Sequence, residues 1–296
     1  MYNVIISSYE HNSVARPIYA MSKENISYSV AKVYDDYNLT IRSFEELITP
    51  ETKAIVCMVG SNVTGQIMPF REIAAICRKH GICFIADGAQ GCGVIPVKMS
   101  DGINILCTSG HKSLYGISGT GLLITDGKYR IPHIMEGGTG STSLELEQPD
   151  FLPDSLESGT INTVGAISLG AGIDFITDSG LDKIFNHETM LCNIFISEIS
   201  TISDVIIYRK PGVKYLPIVS FNIEGITSNQ TAESLSDKGF ALRGGLHCSG
   251  LAHKEIGTLP DGTVRFSPSV FNTANDVRQL VYAIRQTVKE KNSNKL

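Results

Sequence analysis

The chain has 296 residues, 42% of them hydrophobic and 19% charged, with a net charge of −5. That composition describes a globular chain long enough for two cores. The acid excess gives no electrostatic ground for a nucleic-acid partner, and no apolar stretch reaches the roughly 18 residues of a membrane span. No basic region followed by an apolar core opens the chain, so a cytoplasmic protein is expected. The seven cysteines are scattered without a CxxC spacing, which indicates neither a disulfide framework nor a zinc knuckle.

In chain order, residues 3–8 read as a strand, and 54–59 form a continuous apolar run of strand length. Pro69 then falls in the first turn of a helix whose Phe70, Ile73, Ala74 and Cys77 share one face, and Gly81 ends it. Buried strands are predicted at 82–86, 103–107 and 121–125. Strands that are apolar throughout and separated by helices predict an α/β fold with a parallel sheet covered on both faces. Ligands bind such sheets beyond the carboxyl ends of the strands. Residues 136–153, rich in Gly, Ser, Thr and acids, predict a long functional or interface loop. Helices follow at 162–177 and 181–202. Strands at 205–208 and 217–223, a helix at 231–236, a strand leading into Arg243, a strand at 263–267 and a helix at 274–289 complete a smaller α+β unit. Residues 291–296 are expected to fray. The expected division is a large unit, 1–178, and a small one, 179–296, that carries Cys248 and Arg265.

Chemistry concentrates just after the predicted strands. Ser109-Gly110-His111-Lys112 follows 103–107, and Asp87-Gly88-Ala89-Gln90 follows 82–86. A Lys beside a His at a strand end suits pyridoxal phosphate (PLP): the amine forms a Schiff base with the cofactor aldehyde, and Ser and His donate to its phosphate. Asp87 can pair with a protonated pyridine nitrogen and keep the ring an electron sink, although a capping Asp would sit in the same place. Gln90 can donate to the phenolic oxygen. His11 can stack on the ring, and Asn62, otherwise a turn residue, is a second partner for the phenolic oxygen. A metal site built from His247, Cys248 and His253 has no fourth ligand at a sensible spacing.

The ordered motifs Glu10-His11-Asn12-Ser13, Ser61-Asn62-Val63-Thr64-Gly65, Asp87-Gly88-Ala89-Gln90, Ser109-Gly110-His111-Lys112, Glu157-Ser158-Gly159-Thr160-Ile161-Asn162 and Arg243-Gly244-Gly245-Leu246-His247-Cys248 resemble the class V aminotransferase superfamily of fold-type I PLP enzymes. Within it they resemble cysteine desulfurases and selenocysteine lyases. The resemblance implies a fold-type I large domain with a mainly parallel sheet in α/β/α layers and a smaller α+β C-terminal domain. It implies that Lys112 carries the cofactor, Asp87 holds the pyridine nitrogen, His11 stacks on the ring, and Gln90 and Asn62 hold the phenolic oxygen. Ser109 and His111 would hold the phosphate, joined by Thr160 from a second subunit in a homodimer with shared sites. Arg265, with Asn62 and Arg243, would bind the substrate, the guanidinium fork taking its carboxylate. Cys248 would attack the sulfur of L-cysteine, or the selenium of L-selenocysteine, releasing alanine and passing the persulfide sulfur to an acceptor. Arg243, His247, His253 and Lys254 would supply positive or protonatable groups around that thiol.

The sequence departs from this pattern in places. The resemblance leads one to expect about 80 further residues ahead of the opening strand, including the first strand and helix and a phosphate-binding turn at a helix N-terminus. Ile161 stands where a Pro is usual, and Ser249 where an Ala is usual. Against the desulfurase reading stand a non-catalytic PLP-fold remnant that acts by interaction, and a transaminase or eliminating relative. Cys248 argues against the last two, because those reactions need no thiol.

Overall fold

The computed structural model describes residues 2–293. A six-stranded sheet has the order β2-β1-β3-β4-β5-β6, built from β1 (Tyr2–Ser7), β2 (Ile26–Ala31), β3 (Thr52–Met58), β4 (Cys83–Asp87), β5 (Ile105–Ser109) and β6 (Gly121–Thr125). β1 to β5 run parallel, as the uninterrupted apolar runs predict. β6 departs from that expectation and lies antiparallel to β5, with Ser109 opposite Gly121. The short connection 110–120 holds no crossover helix, so the chain can only return beside the strand it left.

Helices α1 (Asn12–Met21), α2 (Tyr37–Glu45) and α3 (Phe70–His80) cover the sheet. In α3 the predicted stripe of Phe70, Ile73, Ala74 and Cys77 is buried. Gly81 terminates it at φ 66°, in the left-handed region that glycine enters at no steric cost, and Arg78, Lys79 and His80 in the last turn complement the helix dipole. Pro69 caps this helix instead of occupying its first turn. Ile5, Phe44, Ile55, Ile73 and Phe84 are fully buried in the core between sheet and helices. Burying each such side chain stabilises the fold by about 1.5–3 kcal/mol.

β2, α1 and α2 carry no strong pattern in the sequence. β2 is an edge strand whose Tyr28 and Val30 point to solvent. Its Ser27 and Ser29 hydroxyls instead accept from Asn3 Nδ2 on β1, at 3.1 and 3.2 Å. α1 carries Pro17 in its interior, which disguises the helix in the sequence.

Beyond β6, residues 126–162 contain neither helix nor strand, and Ile134, Leu144 and Leu146 there are wholly exposed. Next come α4 (Thr163–Ser179) and α5 (Leu181–Ile199), then β7 (Val205–Ile207), β8 (Val219–Ile223), α6 (Ser228–Asp237), α7 (Gly250–Glu255), β9 (Val264–Phe266) and α8 (Ala274–Asn292). β7, β8 and β9 form a separate antiparallel sheet. Phe195 of α5 stacks on Phe266 at 4.3 Å and meets Phe221 edge-on at 5.5 Å. The expected strand into Arg243 is only an isolated bridge from Arg243 to Arg265. α7, directly after Cys248, buries Ala252 in the core of the large sheet rather than in that of the small one. Of the segment expected to fray, α8 already includes 291–292, and 294–296 lie outside the described residues.

Candidate active site

The carboxyl ends of β1, β3, β4 and β5 bring together four sequence-predicted groups. Asp87 closes β4 and Ser109 closes β5, each inside its strand instead of just after it. Met58 of β3 pairs with Asp87, and Val59 N donates to Asp87 O at 2.8 Å, so the β3 turn and Asp87 form one rigid ledge. The Asp87 carboxylate also accepts from Ala89 N at 2.9 Å, which fixes its orientation and the path to Gln90. His11 caps α1, its Nδ1 accepting from Ser13 N at 3.1 Å. Burial, then the positive charge of Lys112, push its pKa down, and Asp87 partly opposes them. His11, Lys112 and Asp87 therefore feel one another's charge.

Lys112 opens onto a cavity of about 250 Å³ that Gln90 and Arg265 also line. Burial lowers the Lys112 pKa, Asp87 opposes this, and Arg265 and Arg243 add to it. A desolvated amine with cations nearby has a larger neutral, nucleophilic fraction, which suits a lysine that must attack a carbonyl. Arg265 extends from β9 and donates through Nη1 to Asn62 O at 2.9 Å, the one hydrogen bond of its guanidinium among the described residues. The cavity wall also carries Tyr115 and Glu188, which the sequence pattern did not single out. Burial raises the Glu188 carboxyl to about 7, and the Tyr115 hydroxyl donates to it at 3.5 Å. Larger, open hollows along α5 and α8, beside Met190 and Arg278, gather none of these groups.

Cys248 is the exposed cysteine of the chain. Arg243 Nη2 approaches its Sγ to 3.8 Å, and Cys248 lies within electrostatic reach of Arg265. The expected help from neighbouring histidines is corrected by the structure. His247 is buried, with its pKa pushed down to about 3 by burial first and Arg265 second, and His253 is fully buried and also shifted down. Both are neutral side chains of the interior, so Arg243 is the cation in contact with the thiol. Asn62 is corrected as well. Its amide is buried and engaged by the Cys248 loop, donating to His247 O at 2.9 Å and accepting from Ser249 Oγ at 2.8 Å. His111 and Thr160 are exposed, and neither they nor Ser109 line the cavity.

Beneath the site lies Glu10, fully buried, with Oε1 accepting from Ser7 Oγ and, at 2.9 Å, from Met58 N. Burial raises its pKa to about 8 against the pull of those two hydrogen bonds, and Asp87 adds to the rise. The folded protein therefore holds a proton that the unfolded chain releases above about 4.5, so this residue's contribution to stability falls as pH rises from there to about 8. Glu10→Gln keeps the acceptor and removes the titration. Urea denaturation across that window is expected to show a flatter pH dependence for Glu10→Gln than for the parent, the two differing by a few kcal/mol at the alkaline end.

The donor set fits pyridoxal phosphate. It offers a desolvated lysine in a cavity, a carboxylate fixed at the neighbouring strand end and an imidazole within their fields.

The Aminotransferase class-V family matches residues 2–280. A probable cysteine desulfurase of Halalkalibacterium halodurans is 32% identical over 292 residues, covering 96% of this chain and 70% of the relative. A cysteine desulfurase of Haloferax volcanii is 28% identical over 291 residues, covering 95% and 67%. Among solved structures, the apo cysteine desulfurase of Thermococcus onnurineus superposes with a TM-score of 0.88 at 29% identity, over 97% of this chain and 73% of that one. A cysteine desulfurase of Escherichia coli gives the same TM-score at 24% identity, over 97% and 72%, and shows the shared fold.

Proposed function

The chain belongs to the PLP-dependent aminotransferase class-V family, and we propose that within it this protein is a cysteine desulfurase, which moves the sulfur of L-cysteine onto Cys248, releases L-alanine and hands the sulfur to an acceptor thiol or protein. One observation carries this reading: Lys112 and Arg265 share a cavity, and Cys248, with Arg243 against its sulfur, lies within the field of Arg265. An aminotransferase needs the first two groups and has no use for the third.

When bound, PLP supplies the electron sink that makes the Cα proton of the substrate acidic. Lys112 would hold the cofactor, and its amine would move the proton at Cα. Asp87 would hold the pyridine nitrogen, His11 the ring face and Gln90 the phenolic oxygen. Ser109 and His111 would hold the phosphate, joined by Thr160 of a second copy. Arg265 takes the substrate carboxylate, assisted by Arg243. Cys248 Sγ attacks the substrate sulfur: its C–S bond breaks, an S–S bond forms on Cys248, and the substrate carbon takes up a proton to become alanine. L-selenocysteine fits the same site and has the weaker bond to carbon. Residues 1–178 carry the cofactor groups, and 179–296 bring Cys248 and Arg265 to them.

The wholly exposed Ile134, Leu144 and Leu146 support a homodimer, because apolar side chains fully in water mark a surface that association covers. All seven cysteines are free, which supports a reducing, cytoplasmic location.

The reading is tested by incubating the PLP-loaded protein with L-cysteine and a thiol acceptor. Catalytic release of alanine and sulfide in equal amounts supports it. Release of pyruvate, or transamination without sulfide, refutes it. Arg265→Ala is expected to raise KM for L-cysteine by about thirtyfold or more, since a half-buried charge partner for a carboxylate is lost. A steady-state titration of alanine release checks this.

A further inference from the structure

Cys248 sits in a backbone conformation that L residues seldom adopt: His247 and Cys248 have φ of 49° and 58°, two consecutive non-glycine residues in the left-handed region. Such a pair persists only where its surroundings hold it. The holding contacts converge on one side chain. Asn62 Nδ2 donates to the carbonyl before Cys248, that of His247, at 2.9 Å, and its Oδ1 accepts from the hydroxyl after Cys248, that of Ser249, at 2.8 Å. Its main-chain oxygen accepts from Arg265 Nη1 at 2.9 Å. All three residues of the amide grip are buried.

We propose that Asn62 is a positioning residue that clamps the Cys248 loop from both flanks and registers it against Arg265, so that nucleophile and carboxylate site move as one body. The proposal rests on the reading of Cys248 as sulfur acceptor. The chemistry requires an amide, because one planar group must donate on one side and accept on the other, and a carboxylate cannot donate. The remaining contacts support the grip. Ser61 Oγ accepts from Val63 N at 3.2 Å and Thr64 N at 3.1 Å, which fixes the Asn62 turn. Asn12 N donates to Cys248 O at 2.8 Å, and His247 Nε2 donates to Thr263 O at 2.9 Å, next to the strand that carries Arg265. Ser249, which stands where the resemblance leads one to expect Ala, acquires a purpose as the second jaw.

The test uses the PLP-loaded protein and its Asn62→Ala, Asn62→Asp and Ser249→Ala variants. Amide hydrogen exchange at 247–249 is read by mass spectrometry, and alanine release by kinetics. Exchange is expected to rise at least about tenfold in Asn62→Ala and in Asn62→Asp, and less in Ser249→Ala. kcat is expected to fall at least about tenfold in Asn62→Ala while KM changes by less than about threefold, because the main-chain oxygen that holds Arg265 survives. Adding Ser249→Ala to Asn62→Ala is expected to do no further harm, since the jaw's partner is already gone. Unchanged exchange in Asn62→Ala, or additive effects in the double variant, would overturn the proposal. If Asn62→Ala does not fold, unchanged exchange in both Asn62→Asp and Ser249→Ala overturns it equally. The exchange readout needs no turnover, so a protein that releases no alanine yet shows the exchange pattern refutes the desulfurase reading and leaves the clamp standing.

Discussion

Lys112→Ala is expected to abolish turnover, lowering alanine release from L-cysteine by at least about 10⁴-fold. In the proposed reading this residue is the amine that attaches the cofactor, and its depressed pKa enlarges the neutral fraction of that amine. The rest of the cradle remains in this variant: Asp87 is still held by Ala89 N, and His11 by Ser13. Added PLP is therefore expected to bind reversibly, giving the free-aldehyde spectrum and washing out on dialysis, whereas the parent keeps a covalently attached chromophore. A Lys112→Ala protein with the parent's spectrum and rate would show that another lysine holds the cofactor.

Cys248→Ser is expected to separate the two halves of the reaction. Cofactor attachment and spectrum should match the parent, because Cys248 does not line the cavity. Alanine release should fall by at least about a thousandfold, since a serine hydroxyl is a poor nucleophile toward sulfur. Arg243 is the cation beside this sulfur, its guanidinium standing 3.8 Å from it. The expected split is an unchanged PLP spectrum with a collapsed kcat. An unaffected kcat would move the acceptor role elsewhere, although Cys57, Cys77, Cys83 and Cys192 are buried and burial pushes each of their thiols up.

Which of this could be read in the sequence follows from what each residue answers to. The central strands are buried on both faces, so β3 and β4 write themselves as apolar runs, and Lys112 and Asp87 stand where such strands end. β2 is an edge strand whose apolar side chains face water, and its alternation with serine resembles a loop. The direction of β6 depends on the absence of a crossover helix, which no local pattern announces. The site residues were nameable because their chemistry is rare. What Asn62, His247 and His253 do was not legible, because it depends on burial and on contacts with residues nearly two hundred positions away, as from Asn62 to His247. Proximity in sequence suggested histidine cations around Cys248. The fold buries both imidazoles and leaves Arg243 as the contact. Glu188 and Tyr115 carry no motif at all and enter the cavity wall only through the packing of α5 against the loop after Lys112.

The most direct test of the central claim is the mass of the Cys248 peptide after the PLP-loaded protein is given L-cysteine without an acceptor and the reaction is trapped by alkylation. The account predicts one additional sulfur atom on Cys248 and one alanine released per site. Alanine formed while Cys248 carries no extra sulfur, or an extra sulfur found on a different cysteine, would contradict it.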